Sequence, residues 1–259
     1  MKVFAVGDVC APDGCEYALK IIPQIKREEK IDIIIINGEN SAAGNGITPQ
    51  SAEMLFAAGA NVITGGNHTL RRKEIFDTLE ENPFVLRPHN LKEVDTGSGY
   101  CLLDMGRYTV AIINLSGQIY LERTNAENPF KCADELLEKA AQDGAKYIFV
   151  DFHAEATSEK RAMGVYLDGK VSAVFGTHTH VQTADAQILP NGTGYITDLG
   201  MTGVKDSILG VKSEIIINRL KNNDMSRFEQ ASGECMLNGC IFDIDEDTGL
   251  ARAVKLISR

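Results

Sequence analysis

Short apolar runs alternate with helical periodicity through the first half of the chain. Residues 3–7 read as a buried strand that stops at Asp8. Ala18, Ile21, Ile22 and Ile25 then recur at helical spacing within residues 14–29, with basic residues at the end. Residues 31–37, which carry four consecutive isoleucines, predict a second strand ended by Gly38-Glu39-Asn40. Thr48-Pro49 supplies an N-cap and a proline at the first helical position, and that helix closes near Gly59. Residues 61–64 form a third strand running into Gly65-Gly66-Asn67-His68, and residues 73–80 are helical up to Asn82-Pro83.

The second half is richer in strands. Residues 100–105 and 108–114 predict a hairpin around Gly106, and residues 131–143 an amphipathic helix ending at Gly144. Strands at 146–152 and 171–176 run into His153 and His178. A helix opens after His153, with Thr157 or Ser158 as its N-cap. Short strands at 181–189 and 194–197 flank Pro190-Asn191-Gly192, residues 213–220 are helical, and 239–245 with 251–257 close the chain as a hairpin. The fold class is α/β, with two mixed β-sheets face to face and helices outside. No linker, repeat or low-complexity block divides residues 1–259, which read as one domain.

Composition narrows the function. The 259 residues carry 36 acids against 26 bases, a net charge of −10. A general nucleic-acid binder needs a basic footprint and is disfavoured, as is a membrane protein, since no run approaches the length of a span. The N-terminus reaches Asp8 too soon for a signal peptide, and six scattered cysteines without a Cys-x-x-Cys pair read as free thiols. A cytoplasmic location is expected, and a homo-oligomer is compatible with all of this.

Five apolar strands end in a small residue or an acid followed by a metal-capable side chain. The clusters are Gly7-Asp8, Gly38-Glu39-Asn40, Gly66-Asn67-His68, Asp151-Phe152-His153 and Gly176-Thr177-His178-Thr179-His180. Ligands of open α/β sheets bind beyond the carboxyl ends of the strands, so all five should meet at one edge. Taken singly, Asp8 is an N-cap, Glu39-Asn40 a solvated turn and His153 a strand-end histidine. His178 and His180 occupy alternate positions, which would place both imidazoles on one face of a strand. Four of the five histidines fall in these clusters, and only His89 lies elsewhere.

Carboxylates, carboxamides and imidazoles without thiolate suit Fe, Mn or Zn. Seven or eight such ligands are too many for one ion and fit two. A pair of ions about 3.5–4 Å apart clamps an in-line displacement at phosphorus, and a carboxylate is the natural bridge.

These motifs resemble those of the calcineurin-like metallophosphoesterase superfamily, and most closely its YmdB-like branch. The likeness includes Ile36-Asn37-Gly38-Glu39-Asn40, Gly66-Asn67-His68-Thr69, the stretch from Asp151 to Lys160, that from Gly176 to Asp185, and Tyr195 to Gly203. It implies a four-layer α/β sandwich, a bacterial cytoplasmic phosphodiesterase acting on small substrates such as 2′,3′-cyclic nucleotides, and a dinuclear centre that usually carries iron. It further implies one metal on Asp8, Glu39, Asn40 and His180, and a second on Glu39, Asn67, His153 and His178. His68 would stand beside them as proton donor or phosphate clamp. Hydroxide bridging the metals would attack phosphorus while His68 protonates the leaving oxygen.

The first motif departs from the wider superfamily, because Asp8-Val9-Cys10 replaces Asp-x-His. Cys10 is then a buried thiol or, less simply, a thiolate ligand. Arg71, Arg72 and Arg87 read as ordinary surface cations, with phosphate contact as the sharper alternative. A phosphomonoesterase or protein phosphatase would use the same centre. A regulatory nucleotide- or RNA-binding protein on this fold is the rival from another class.

Overall fold

The computed structural model describes residues 1–92, 94–121 and 124–259. Its strands are β1 (Lys2–Val6), β2 (Asp8–Val9), β3 (Ile33–Asn37), β4 (Val62–Thr64), β5 (Tyr100–Asp104), β6 (Thr109–Ser116), β7 (Tyr147–His153), β8 (Ala173–Thr177), β9 (Gln187–Ile188), β10 (Gly194–Ile196), β11 (Met201–Val204), β12 (Cys235–Ile244) and β13 (Ala251–Ser258). The α-helices are α1 (Ala11–Glu29), α2 (Pro49–Ala58), α3 (Ile75–Glu81), α4 (Pro129–Gln142), α5 (Thr157–Tyr166) and α6 (Ser213–Asn222). One sheet runs β2-β11-β12-β1-β3-β4 with β13 paired to β12, and the other runs β5-β6-β7-β8-β10-β9. Both are mixed: β1, β3 and β4 are parallel in the first, β6, β7, β8 and β10 in the second, with antiparallel strands beside them.

Strand periodicity sorts the apolar side chains into layers. In β3, Ile34 and Ile36 pack with Cys15, Ile22 and Leu55 of α1 and α2, while Ile33 and Ile35 face the other sheet. In β7, Tyr147 and Phe149 join that middle core, while Val150 and Phe152 pack with Leu136 of α4 and Met163 of α5. Three apolar cores thus separate four layers: helices α1–α3, two sheets, and helices α4–α5. Strands buried on both faces need continuous apolar runs, which is why β3 reads Ile-Ile-Ile-Ile before Asn37.

Several elements depart from the sequence pattern. The first helix begins at Ala11 instead of Gly14, because Pro12 in its first turn needs no donor there. The expected strand over residues 181–189 shrinks to β9. Its first half is tied up by side chains instead: the Asp185 carboxylate accepts hydrogen bonds from the Thr183 and Thr197 hydroxyls. Neither Thr157 nor Ser158 caps α5; Ala156 occupies the N-cap with no side-chain bond. Strands β2 and β11 give no period of their own and form by pairing, β11 with β12 on one side and with β2 on the other, Met201 opposite Asp8. The cap of α2 is as the sequence reads, with Thr48 Oγ1 accepting from Ser51 N at 3.2 Å. All six cysteines are free. Among the described residues, no helix is long and apolar enough to cross a membrane.

Candidate metal centre

The parallel strands of both sheets end at the same rim, so the middle core turns polar there. Asn37, Thr64 and Thr177 close β3, β4 and β8, and Asp151 lies two residues before the end of β7; all four are buried. Asp151 accepts from Thr64 Oγ1 at 2.5 Å, from Thr177 Oγ1 at 2.7 Å and from Asn37 Nδ2 at 3.1 Å. Asn114 of β6 bridges the sheets by bonding the Gly65 N–H and carbonyl. Beyond this floor the chain turns sharply and brings the candidate ligands to the rim, with Asp8, Glu39, Asn40 and His153 still buried. Gly7 is needed at one such turn, because a Cβ there would collide with the Gly200 carbonyl.

Four residues form a closed group. His153 Nε2 lies 3.2 Å from Glu39 Oε1, 2.9 Å from Asn67 Oδ1 and 3.1 Å from His178 Nδ1. Donor atoms about 2.1 Å from one ion and at right angles stand about 3.0 Å apart, so these separations match the edges of a coordination shell. Glu39, His153 and His178 offer atoms all within 4.8 Å of one another. The other nitrogen of His153 is fixed from behind. Thr177 gives its proton to Asp151, so its oxygen accepts from His153 Nδ1–H at 2.9 Å and leaves Nε2 as the nitrogen that would face an ion.

A second group shares Glu39. Asn40 Nδ2 lies 3.0 Å from Glu39 Oε1 and 3.2 Å from His180 Nε2, and Asp8 Oδ1 lies 3.7 Å from His180 Nε2. Coordination by Asn40 requires its carbonyl oxygen in the nitrogen's place, a turn of the amide about its last torsion. Cys10 sits on the far side: its sulfur is 3.6 Å from His180 Nδ1, the nitrogen turned away from Asp8. The thiol therefore backs a candidate ligand and is not placed among them.

His178 and His180 do not share a strand face, contrary to the spacing argument. Strand β8 stops at Thr177, and both histidines adopt positive φ, +102° and +64°. One consequently faces His153 and the other Asp8. Asp198 holds this turn: its carboxylate accepts from Thr179 N at 3.1 Å and from Lys160 Nζ, which also donates to the Thr177 carbonyl at 2.8 Å. Lys160 and Asp198 are both buried.

Charge is unevenly held. Burial works against ionisation of Glu39, yet His153 and the His68 N–H hold its carboxyl down at about 2. Burial raises Asp8, with His180 opposing. His178 is pushed down to about 3 by burial and by His153. Burial also opposes charge on His180, but the Cys10 sulfur and the Asp8 and Glu39 carboxylates raise it to about 10.

His68 lines a cavity of about 320 Å³ together with Glu39, Asn40, His178 and His180. Its backbone N–H donates to Glu39 Oε2 at 2.8 Å, so the peptide is anchored while the ring stays in the cavity. Burial lowers its proton affinity. Glu155 shares this wall and pairs with His178 Nε2 at 3.0 Å.

All eight residues singled out in the sequence therefore meet at one rim. The sequence reading missed Asp151, Thr177, Asn37 and Asp198 as supports, whereas support from residues 157–160 was its sharper reading of that stretch and Lys160 supplies it. An acid two places before His153 in an otherwise apolar strand was the one signal available. Arg87 is not a surface cation: it is buried and donates to the carbonyls of Val94, Thr96, Pro88 and His89. His89 stands apart from the site, bonding through its backbone to Asn114.

Two observations fit the rim to metal ions. Asp8 Oδ1 is buried without a hydrogen bond, a cost that an ion would remove. Gly66 leaves a cradle, since a Cβ there would run into Glu39 Oε2 and His153 Nε2.

The comparisons agree with this geometry. The YmdB-like protein family matches residues 4–257. A Bacillus subtilis (strain 168) protein named 2′,3′-cyclic-nucleotide 2′-phosphodiesterase is 47% identical over 256 residues, covering 99% of this chain and 95% of the relative. The crystal structure of a phosphatase from Mycoplasma pneumoniae superposes with a TM-score of 0.94 at 34% identity, covering 100% of this chain and 93% of the other. A Thermus thermophilus protein gives a TM-score of 0.92 at 36% identity, covering 100% and 99%. With the four-layer sandwich and its rim of ligands in place, the chain belongs to the YmdB-like family of the calcineurin-like metallophosphoesterases.

Proposed function

We propose that the protein is a metal-dependent phosphodiesterase that hydrolyses small phosphodiesters, with 2′,3′-cyclic nucleotides as its substrates. The observation that carries this reading is the approach of His153 Nε2 to Glu39, Asn67 and His178 within 2.9–3.2 Å, beside a cavity lined by His68. The name and identity of the Bacillus subtilis relative support it. Glu39, Asn67, His153 and His178 would hold one ion, and Asp8, Glu39, Asn40 and His180 another, with Glu39 shared. Iron fits this oxygen and nitrogen donor set, as do manganese and zinc. Bound ions would supply Lewis acidity and make water a nucleophile near neutral pH.

The chain's own groups then order the reaction. Glu39 is held ionised and carries the charge that cations need. Asp151 and Thr177 keep the His153 proton on Nδ1. Water adds to phosphorus as the bond to one ribose oxygen breaks, and His68 delivers a proton to that oxygen. Burial lowers the basicity of His68 in the free protein. An anionic diester bound beside it works in the opposite direction. The six free cysteines fit a reducing compartment, and we place the enzyme in the cytoplasm as a single domain.

Metal analysis of the reconstituted protein, combined with a panel of cyclic, linear and monoester phosphates, tests this reading. About two ions per chain and preference for the cyclic diester are expected. Faster turnover of monoesters would favour the phosphomonoesterase reading. Nucleotide binding without turnover would favour the regulatory one.

A further inference from the structure

A second cavity opens against the candidate site. It measures about 640 Å³ and is lined by Arg71, Arg72, Arg227 and Phe228, among others. It shares Gly44, Phe228, Glu229 and Gln230 with the cavity that holds His68, so the two are continuous along that wall. Three guanidinium groups on one wall stand out in a chain whose net charge is −10. Among the described residues none of the three has a carboxylate partner, and the one acid of the cavity, Glu229, is paired with Lys212 at 2.6 Å. Arg72 is held in place, donating from Nε to the Asn45 carbonyl at 3.2 Å and from Nη2 to Ala43. Gly46 permits this, since a Cβ there would meet the Arg72 side chain at 2.8 Å. Phe228 is exposed, and the Arg219 guanidinium covers one face of its ring at 4.5 Å from the centroid, which leaves the opposite face to a ligand.

We infer that this cavity binds a second phosphate of the substrate, the one at the 5′ position of the ribose whose 2′,3′-cyclic phosphate is hydrolysed at the rim. The preferred substrates are then 5′-phosphorylated nucleoside cyclic phosphates and short ribonucleotide fragments with a cyclic end. The inference rests on the proposed phosphodiesterase reading and adds its specificity. Guanidinium groups bind phosphate through paired, charge-assisted donors. Arg71 and Arg227, exposed lining residues without acidic partners among the described residues, supply these, and the uncovered face of Phe228 can stack on a flanking base. The negative chain as a whole repels long nucleic acid, which confines recognition to a short segment.

The test compares adenosine 2′,3′-cyclic phosphate, its 5′-phosphorylated form and a diribonucleotide with a 2′,3′-cyclic end. Charge-assisted hydrogen bonds of this kind are worth roughly 10- to 100-fold in affinity, so both phosphorylated substrates should gain that factor in kcat/KM, mostly through KM. The gain should shrink as salt rises. In Arg71→Ala and Arg227→Ala the ratio of phosphorylated to unphosphorylated kcat/KM should fall towards one, and Arg71→Lys should recover part of it. Neither side chain is buried, so folding is not at risk. Equal kcat/KM for all three substrates in the native enzyme, or a gain untouched by both alanine variants, overturns the inference while the phosphodiesterase reading stands. Absence of turnover on every cyclic substrate by metal-loaded enzyme overturns that reading, and the inference with it.

Discussion

The two halves of the candidate centre are built to different tolerances. Around His153 the donor atoms close to 2.9–3.2 Å, and a buried hydroxyl–carboxylate relay fixes the imidazole from behind. Around Asp8 the closest carboxylate–imidazole approach is 3.7 Å, one oxygen has no hydrogen bond, and the backing group is a thiol. The electrostatics separate His178 from His180. His178 remains neutral down to about 3, whereas His180 holds a proton up to about 10. Burial opposes charge on His153 of the first group, but the Glu39, Asp8 and Asp151 carboxylates raise it as well, so in each group one imidazole holds a proton that a cation must displace. Glu39 belongs to both groups.

Removing the shared residue should have the largest effect. Glu39→Ala should leave metal content near zero and reduce turnover by at least about 10³-fold, the scale of losing metal-ion catalysis. Elemental analysis beside Asn40→Ala decides the matter, since a neutral carboxamide touching one ion should cost less. Equal retention in both variants would mean that the bridge is misassigned.

Asp8→Ala should lose one ion and keep the other. Stepwise chelation of the native protein should likewise empty the Asp8 side first. The pH dependence sharpens this contrast. In the metal-free protein His180, raised to about 10, is protonated at neutral pH, whereas His178, lowered to about 3, is not. Metal uptake on the Asp8 side must therefore release a proton, and its apparent affinity should rise with pH up to about 10. On the other side His178 has no proton to release above about 3, whereas the raised His153 does, so uptake there should also strengthen as pH rises. Calorimetric titration in buffers of different ionisation enthalpy measures the protons released. Uptake of the Asp8-side ion without proton release would contradict the placing of His180 among its ligands.

His68→Ala should keep both ions and lose roughly 10²–10⁴-fold in kcat, the range for a general acid. The loss should be smaller for a p-nitrophenyl ester, whose leaving oxygen needs no proton. Loss of metal, or equal damage with both leaving groups, would make His68 a ligand or a phosphate clamp. The smallest effect is expected at Cys10. Cys10→Ala removes only the backing of His180 and should weaken the Asp8-side ion by no more than about tenfold. A larger loss, with a thiolate-to-metal absorption band in the native protein, would return the sulfur to the ligand set.

What the sequence determined was the layers and the rim. Short runs of β-branched residues such as Ile33–Ile36 read as strands buried on both faces, and a polar residue after each such run then lies at the strand end. That logic brought Asp8, Glu39, Asn40, Asn67, His68, His153, His178 and His180 to one edge without coordinates. Arg87 marks its limit. A lone arginine reads as a surface cation, and only the folded chain brings the four carbonyls that keep it buried. The same holds for β2 and β11, whose few residues become strands through partners distant in sequence. Tertiary structure also decided how the histidines divide. Their spacing predicted a shared face, but the turn after Thr177 bends both into positive φ, and Asp198 and Lys160 hold it there. A period of two describes a strand and carries no information about a turn. Which nitrogen meets which carboxylate was therefore set by contacts that no local pattern encodes.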